Sequence, residues 1–203
     1  CAYGGYYVLA NNLEAPARAA FDRLQDVDSI VIDPHKHGLQ PYGCGCVLFR
    51  DPAVGKYYQH ESPYTYFTSG DLHLGEISLE CSRPGAAAVA LWATQRLLPL
   101  VRGGEFAGML ETCRASALEL HARLAVDARF IVAFAPDLDI VVWAVRAATA
   151  AGSSERARVI FAEAARKDVR LALGELPVKF FHDRGNSLGG NETVACLRSV
   201  VMK

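Results

Sequence analysis

The chain lacks the features that direct a protein to a membrane or to nucleic acid. It contains no uninterrupted apolar run of transmembrane length, and its first residues do not have the layout of a signal peptide. Its formal net charge is -1, so it offers no electrostatic attraction to a nucleic-acid backbone or to anionic lipid. We therefore expect a cytoplasmic protein with neither a membrane nor a nucleic-acid partner.

The cysteines do not form the pattern of a disulfide framework or of a zinc site. Six are scattered along the chain: Cys1, Cys44, Cys46, Cys81, Cys113 and Cys196. The pair Cys44 and Cys46 resembles half of a metal site, but no second Cys/His pair at finger-like spacing accompanies it, and two ligands do not close a zinc site. We predict no metal and mostly small, buried thiols.

A lysine in a tight loop between two β-type runs is the most informative feature that is present. Residues 29–32 form a β-type run whose last three members are apolar and β-branched, and the run Asp33-Pro34-His35-Lys36-His37-Gly38 follows them directly. A second β-type run at 46–49 carries the chain away. Such a lysine is poorly placed as a solvated charge and well placed as an amine that forms an imine with a carbonyl group.

Regular elements are also predicted in the chain that follows this loop. The apolar stretch 86–100 predicts a buried helix, and residues 105–124 predict a second helix with one apolar side. A break at Gly103-Gly104 separates these two helices, and after the second helix the pattern becomes a small β-β-α-β-β unit. Its predicted elements are strands at 130–134 and 140–145, a helix capped by Ser153 or Ser154 that runs to about 173, and strands at 178–181 and 195–202.

Four ordered blocks resemble the group II pyridoxal-phosphate (PLP) decarboxylases. The lysine run, with residues 43–51 behind it, is similar to the lysine loop of that family. The other blocks are Ala2-Tyr3-Gly4-Gly5, Ser78-Leu79-Glu80-Cys81-Ser82-Arg83, with Cys81 where glycine is common, and the C-terminal strand around Leu197-Arg198. The resemblance implies an α/β fold of the PLP-dependent transferase fold type I and PLP as the cofactor.

The resemblance also implies a partial subunit. Family members are about twice as long, and the aspartate that binds the pyridine nitrogen would immediately precede Cys1. We therefore expect the C-terminal half of a subunit, with residues 1–103 forming the end of the large PLP-binding domain and 104–203 a small α+β domain. The missing N-terminal half and a second copy in a homodimer are the expected partners.

Site residues follow from the resemblance, position by position. Lys36 would form the internal aldimine with PLP, and His35 would help to hold the cofactor phosphate. Ser82 and Arg83, at the start of a helix, are candidates for the phosphate of the other subunit. Arg198 matches the arginine that binds the substrate α-carboxylate in several members. Structural roles remain the alternative for each of the last four.

The aromatic-rich loop at 56–75 is the expected source of a proton donor. After carbon dioxide leaves, Cα must be protonated, and a tyrosine or histidine on a closing loop supplies such a proton. The candidates are Tyr64, Tyr66 and His73. The loop also favours an aromatic or bulky L-amino acid as the substrate over glutamate.

The resemblance implies PLP-dependent decarboxylation of an L-amino acid to its amine and carbon dioxide. Three other functions remain open at this point. A relative with the same scaffold would act as an aldehyde synthase, or as a carbon–carbon lyase of the sphingosine-phosphate type. A non-catalytic half-subunit that packs against a partner chain is the third.

Overall fold

The computed structural model describes residues 1–59, 85–183, 186–187 and 193–202. The chain forms two compact units. The first contains Cys1–Leu9 and Arg18–Phe106, and the second contains Ala10–Ala17 and Ala107–Lys203. The assignment of 1–103 and 104–203 to a large and a small domain stays a prediction. No helix in the described ranges is long and apolar enough to cross a membrane.

The first unit is built around an antiparallel hairpin. Strand β1 (Ser29–Ile32) pairs with β2 (Cys46–Phe49) in a register that sets Ser29 opposite Phe49 and Ile32 opposite Cys46. Before the hairpin come a 3₁₀ helix at Gly5–Leu9, helix α1 (Ala15–Asp22), which crosses from the second unit, and a 3₁₀ helix at Arg23–Asp26. The hairpin is followed by a 3₁₀ helix at Pro52–Tyr57 and by helix α2 (Ala86–Leu97).

Helix α2 is not buried, so that part of the sequence prediction was wrong. The helix forms as its apolar, alanine-rich composition predicts, but it ends at Leu97 and none of its residues is buried. Trp92 is 60% exposed and Leu97 is 81% exposed. Apolar composition identifies a face suited to contact, but burial also requires segments that cover it, and the described segments cover α2 only in part.

The second unit is an antiparallel sheet with two helices. The elements are α3 (Glu105–Val126), β3 (Phe130–Val132), β4 (Ile140–Val145), α4 (Ala150–Arg166), β5 (Ala172–Pro177), the short pair β6 (His182–Asp183) and β7 (Asn186–Ser187), and β8 (Thr193–Val200). Four strands form the sheet in the order β3-β4-β8-β5, so that the last described strand lies inside it.

The two faces of this sheet have separate cores. On the first face, Trp143 and Leu197 pack with Ala117 and Leu124 of α3 and with Ala157 of α4. The other face is made by a second group: Val142, Ala144, Val178, Phe181, Val194 and Cys196 among others. The predicted apolar side of α3 is confirmed, because Phe106, Leu110, Cys113 and Ala117 are buried and Leu120 is partly buried.

Helix α4 begins and ends earlier than the sequence predicted. Its N-cap is Thr149, whose hydroxyl accepts a hydrogen bond from the Gly152 N–H, so the serines are not caps. Both serines are buried inside the helix, where the Ser154 hydroxyl accepts a hydrogen bond from the Ala195 N–H of β8. The helix ends because Asp168 adopts a left-handed conformation with φ of 57°.

The strand predicted at 178–181 is not formed there. The extended segment is β5, which pairs with β8 from Ala172 opposite Arg198 to Pro177 opposite Thr193. Residues Val178–Phe180 instead form a 3₁₀ turn. Val178 and Phe181 are buried because this turn folds them onto the sheet, and the apolar pattern alone does not distinguish such a turn from a strand.

A buried arginine joins distant segments of the second unit. Arg114 of α3 is only 3% exposed, and its guanidinium donates hydrogen bonds to the carbonyls of Asn12 and Asp137. It also lies 3.4 Å from a carboxylate oxygen of Glu14. These contacts explain why residues 10–17 group with a unit that otherwise starts at residue 107.

Candidate functional site

The lysine loop is held by backbone hydrogen bonds at both of its ends. Where β1 ends, the Asp33 N–H donates to the Ala2 carbonyl at 3.0 Å. Within the loop, the Lys36 N–H donates to the Asp33 carbonyl at 2.9 Å, which closes a turn. Across the loop, the His35 N–H donates to the Cys44 carbonyl at 3.2 Å. Lys36 thus lies on a short segment whose two ends are fixed by the paired strands.

The Lys36 amine is paired with a carboxylate of the same turn. Its Nζ donates to Oδ2 of Asp33 at 2.6 Å, and the Lys36 side chain remains 35% exposed. This hydrogen bond is the main reason why the pKa of Asp33 is lowered, and the charges of Lys36 and His35 act in the same direction. The carboxylate of Asp33 is therefore a direct partner of the lysine amine.

The ring of His35 is oriented by the loop itself. Its Nδ1 lies 2.6 Å from the Cys44 carbonyl, and because a carbonyl only accepts, Nδ1 carries the proton. The other ring nitrogen, Nε2, lies 3.8 Å from Oδ2 of Asp33. It follows that Nε2 donates to an anion only when the imidazole is doubly protonated.

A close backbone approach fixes the second half of the loop. A Cβ at Gly38 would lie 2.6 Å from the Tyr6 hydroxyl oxygen and 2.7 Å from Cα of Pro34, so only glycine fits there. Burial, above all, raises the pKa of Tyr6 to about 12, and the phenol therefore stays neutral against the loop.

Gln40 joins the loop to helix α2. Its Nε2 donates to the carbonyls of Gly38 and Leu39, each at 3.2 Å, and to Oγ1 of Thr94 at 2.8 Å. The Thr94 hydroxyl in turn donates to the Ala90 carbonyl at 3.0 Å. The sequence reading missed this contact, since nothing local marks a pairing between residues 54 positions apart.

His37 was also missed. It is 4% exposed and packs edge-on against the ring of Tyr3, with centroids 4.5 Å apart, and against the ring of Tyr7 at 5.2 Å. His35 remains partly exposed while His37 is buried, so the two imidazoles that flank Lys36 have different environments. The signal in the sequence was the pair of N-terminal tyrosines, although their contact with this loop is not visible there.

Arg198 lies in the second unit, on the central strand β8. It pairs in register with Val142 of β4 and Ala172 of β5. Its side chain is exposed, although the four residues before it in the strand are buried. Within the described ranges no carboxylate pairs with its guanidinium, so the structural ion pair considered as an alternative is not formed there.

Five predicted site residues lie outside the described residues. They are the candidate proton donors and the candidate phosphate ligands of the neighbouring helix start: Tyr64, Tyr66, His73, Ser82 and Arg83. Their assigned roles stay predictions. In the rest of the chain, no cluster of three or more His, Cys, Asp or Glu side chains has the arrangement of a metal site.

Comparison with known protein families shows which family the chain belongs to. The sequence pattern of the pyridoxal-dependent decarboxylase conserved domain matches residues 1–146, which include the lysine loop. The chain belongs to this family. The resemblance stated from four short blocks is therefore confirmed, and so is PLP as the cofactor on which the family depends.

Curated relatives of this family member are decarboxylases that are considerably longer. A probable L-tyrosine/L-aspartate decarboxylase from Methanothermobacter thermautotrophicus is 31% identical over 145 residues, which make up 69% of this chain and 36% of the relative. An L-tyrosine decarboxylase from Enterococcus faecium is 36% identical over 83 residues, or 39% of this chain and 13% of the relative. The chain thus spans about a third or less of the length of these relatives.

Solved structures of the family share the fold. The crystal structure of Oryza sativa TDC with PLP and tryptamine superposes with a TM-score of 0.77 at 19% identity, covering 100% of this chain and 40% of that one. Mouse CSAD in its apo form gives a TM-score of 0.73 at 19% identity, covering 98% and 40%. The predicted α/β class and fold type I are therefore confirmed.

Proposed function

We propose that this chain carries the cofactor-linked lysine of a PLP-dependent L-amino-acid decarboxylase, and that this lysine is Lys36. One observation carries the proposal. The Lys36 amine is partly exposed and fixed at 2.6 Å from Asp33, on a loop whose ends are held by paired strands. An amine held in one position has the fixed geometry that bond formation with a carbonyl group requires.

The residues of the loop fit the cofactor. Bound PLP supplies an aldehyde for an amine and a ring that withdraws electrons from the substrate Cα. Lys36 provides the amine. His35 provides one donor for the phosphate through Nε2 in its doubly protonated form, since Nδ1 is already bound to the Cys44 carbonyl. Ser82 and Arg83 are the proposed further phosphate ligands.

Asp33 holds Lys36 before the cofactor binds. Because the pKa of Asp33 is lowered by the hydrogen bond from Lys36, its carboxylate stays ionised at neutral pH and keeps the amine in one position. The lysine must release a proton before its nitrogen can attack an aldehyde. Asp33 is therefore a positioning residue for Lys36 and a poor acceptor of that proton.

The proposed substrate is an aromatic L-amino acid. The relatives named above decarboxylate L-tyrosine or, in one case, L-tyrosine or L-aspartate. Arg198 is proposed to bind the α-carboxylate, because an exposed guanidinium without a carboxylate partner in the described ranges is available for bidentate pairing. A donor among Tyr64, Tyr66 and His73 is proposed to protonate Cα, and the loop's aromatic side chains to contact the substrate ring.

The chain is also proposed to be the C-terminal part of a longer subunit that acts in the cytoplasm as a homodimer. Its coverage of the relatives supports the first point. Exposed apolar side chains support it as well, notably Trp92 and Leu97 of α2 and Val47 and Leu48 of β2. Apolar surface of this kind is typical of faces that another polypeptide segment covers.

Replacement of Lys36 tests the proposal in the complete protein. Lys36→Ala should abolish the visible absorbance of the lysine-linked cofactor and lower turnover of L-tyrosine by orders of magnitude. Lys167→Ala is the control, because Lys167 is an exposed lysine that lies outside both the lysine loop and the 56–75 loop and forms no ion pair within the described ranges. It should keep both the absorbance and the activity.

Two results would contradict the proposal. A Lys36→Ala protein that released carbon dioxide at nearly the normal rate would remove the lysine from the chemistry. A normal absorbance band in that variant would assign the cofactor link to another residue. Assays with L-tyrosine and L-aspartate side by side test the substrate class independently of the lysine.

A further inference from the structure

A groove in the second unit is lined by three arginines that the proposed decarboxylase chemistry does not use. Its volume is about 440 Å³, which lies within the usual range for small-molecule sites. Arg129, Arg146 and Arg156 line it, and its apolar wall consists of Phe130, Val145 and Ile160. Among the described residues, no aspartate or glutamate side chain belongs to this lining.

Backbone carbonyls orient two of these guanidinium groups. Arg146 donates from Nε to the Ala128 carbonyl at 2.9 Å and from Nη2 to the Phe130 carbonyl at 3.2 Å. Arg156 of α4 donates from Nη1 to the Arg146 carbonyl at 2.9 Å. A carbonyl fixes the direction of a guanidinium without cancelling its charge, so the contact of Arg156 arranges its positive group in advance of a ligand.

The third arginine contributes less positive charge. Arg129 binds Asp127 through two hydrogen bonds, from Nε to Oδ1 at 3.0 Å and from Nη2 to Oδ2 at 2.7 Å. Arg156, in contrast, has no carboxylate partner in the described part of the chain. We therefore take Arg156 as the main electrostatic contact of the groove.

The apolar wall rests on a buried aromatic core. Phe130 packs edge-on against Trp143, with ring centroids 4.9 Å apart, and Trp143 is only 7% exposed. A ring or short chain laid over this wall would bury apolar surface while an anionic group reached the arginines. Planar guanidinium groups match both phosphate and carboxylate oxygens.

From this geometry we propose that the groove binds a small amphipathic organic anion. Its phosphate or carboxylate head contacts Arg156 and Arg146, and its apolar body lies against Phe130, Val145 and Ile160. The groove is built entirely from residues 128–160 of the second unit. The proposal therefore stands whether or not Lys36 carries the cofactor.

Calorimetric titration of three probes tests the site in protein that has been loaded with pyridoxal phosphate and then freed of excess cofactor. A cofactor site is then filled, and no free cofactor, which is itself a ring with a phosphate group, competes for the groove. Phenyl phosphate and benzoate carry the two head groups on the same ring, and phenol carries none. We expect saturable binding of at least one anion, a weakening of that binding with added salt, and no binding of phenol. The tighter anion identifies the preferred head group.

Variants on helix α4 locate the binding. Arg156→Gln should weaken it by about tenfold or more, the usual effect of losing a charged hydrogen bond. Arg158→Gln is the matched control, because Arg158 lies two residues away, pairs with Glu175 at 3.5 Å and does not line the groove. The Arg158→Gln protein should bind the anion with an unchanged constant. The fluorescence change of Trp143 on binding should also be unchanged in this variant.

The proposal is overturned by any of three results. These are failure of both anions to bind, equal weakening by Arg156→Gln and Arg158→Gln, which would indicate attraction to general surface charge, and phenol binding as tightly as the anions.

Discussion

Replacement of Gly38 by alanine should disturb the lysine loop without touching the lysine. The added Cβ would lie 2.7 Å from Cα and 2.8 Å from the carbonyl oxygen of Pro34, and 2.6 Å from the Tyr6 hydroxyl oxygen. Two of these atoms belong to the backbone and cannot rotate away. Pro34 lies two residues before Lys36, so the clash is relieved mainly by moving the segment that holds the amine.

The size of the effect follows from these contacts. Overpacking a fixed site costs about 1–3 kcal/mol, and contacts below 3 Å with backbone place Gly38→Ala near the upper end. For a chain of this length, about 3 kcal/mol lowers the thermal midpoint by roughly 6–12 °C. A displacement of the reacting group by about 1 Å lowers turnover by up to roughly 100-fold.

Gly45→Ala is the control in the same loop. Its Cβ would meet Oδ1 of Asp33 at 3.6 Å, an ordinary van der Waals distance, and its φ is not positive. The assays are thermal unfolding, cofactor absorbance and decarboxylation rate of both variants. If Gly38→Ala matched Gly45→Ala in all three, the close approach would not fix the position of Lys36, and the argument from the loop would fail.

Three further predictions concern the substrate, the proton and the pH dependence of stability. Arg198→Met should raise the KM for the amino acid by roughly 10-fold or more while leaving the cofactor absorbance intact, and an unchanged KM would exclude contact with the carboxylate. Among the variants Tyr64→Phe, Tyr66→Phe and His73→Phe, the one that removes the proton donor should shift the product from amine towards aldehyde. Wild-type amine yields in all three would place the donor elsewhere. The hydrogen bonds from Arg129 lower the pKa of Asp127 to about 2. The stabilisation by this pair is therefore complete above about pH 4 and is lost as the pH falls towards 2. Wild type and Asp127→Asn should differ in unfolding midpoint at neutral pH and converge in acid, and a difference that stayed constant with pH would contradict this.

Sequence reasoning succeeded where the relevant residues are adjacent or regularly spaced. The lysine loop is a continuous run, so its flanking strands and its lysine were visible together. Helix α3 repeats apolar residues along one side for 22 residues, and its buried face followed from that period. The family resemblance rests on blocks of the same local kind.

The remaining features depend on contacts between segments far apart in sequence. Gln40 reaches Thr94, and His37 packs against Tyr3 and Tyr7, through a fold that local patterns do not specify. The predicted start of α4 was wrong because Thr149, Ser153 and Ser154 are all residue types that cap helices. The sequence does not show that the Ser154 hydroxyl instead accepts a hydrogen bond from β8. The exposure of α2 could not be predicted because it depends on which surfaces cover the helix.

The contacts of Arg114 have a consequence for how the molecule can be divided. Residues 10–17 belong to the second unit although they lie between two segments of the first, so the polypeptide passes between the units three times. A single cut near residue 104 would detach Arg114 from the Asn12 carbonyl and from Glu14, and would leave a buried guanidinium with part of its hydrogen bonding lost. During synthesis, those partners emerge about a hundred residues before the arginine that binds them. The buried guanidinium of Arg114 therefore gains these partners only when the early segment packs against α3.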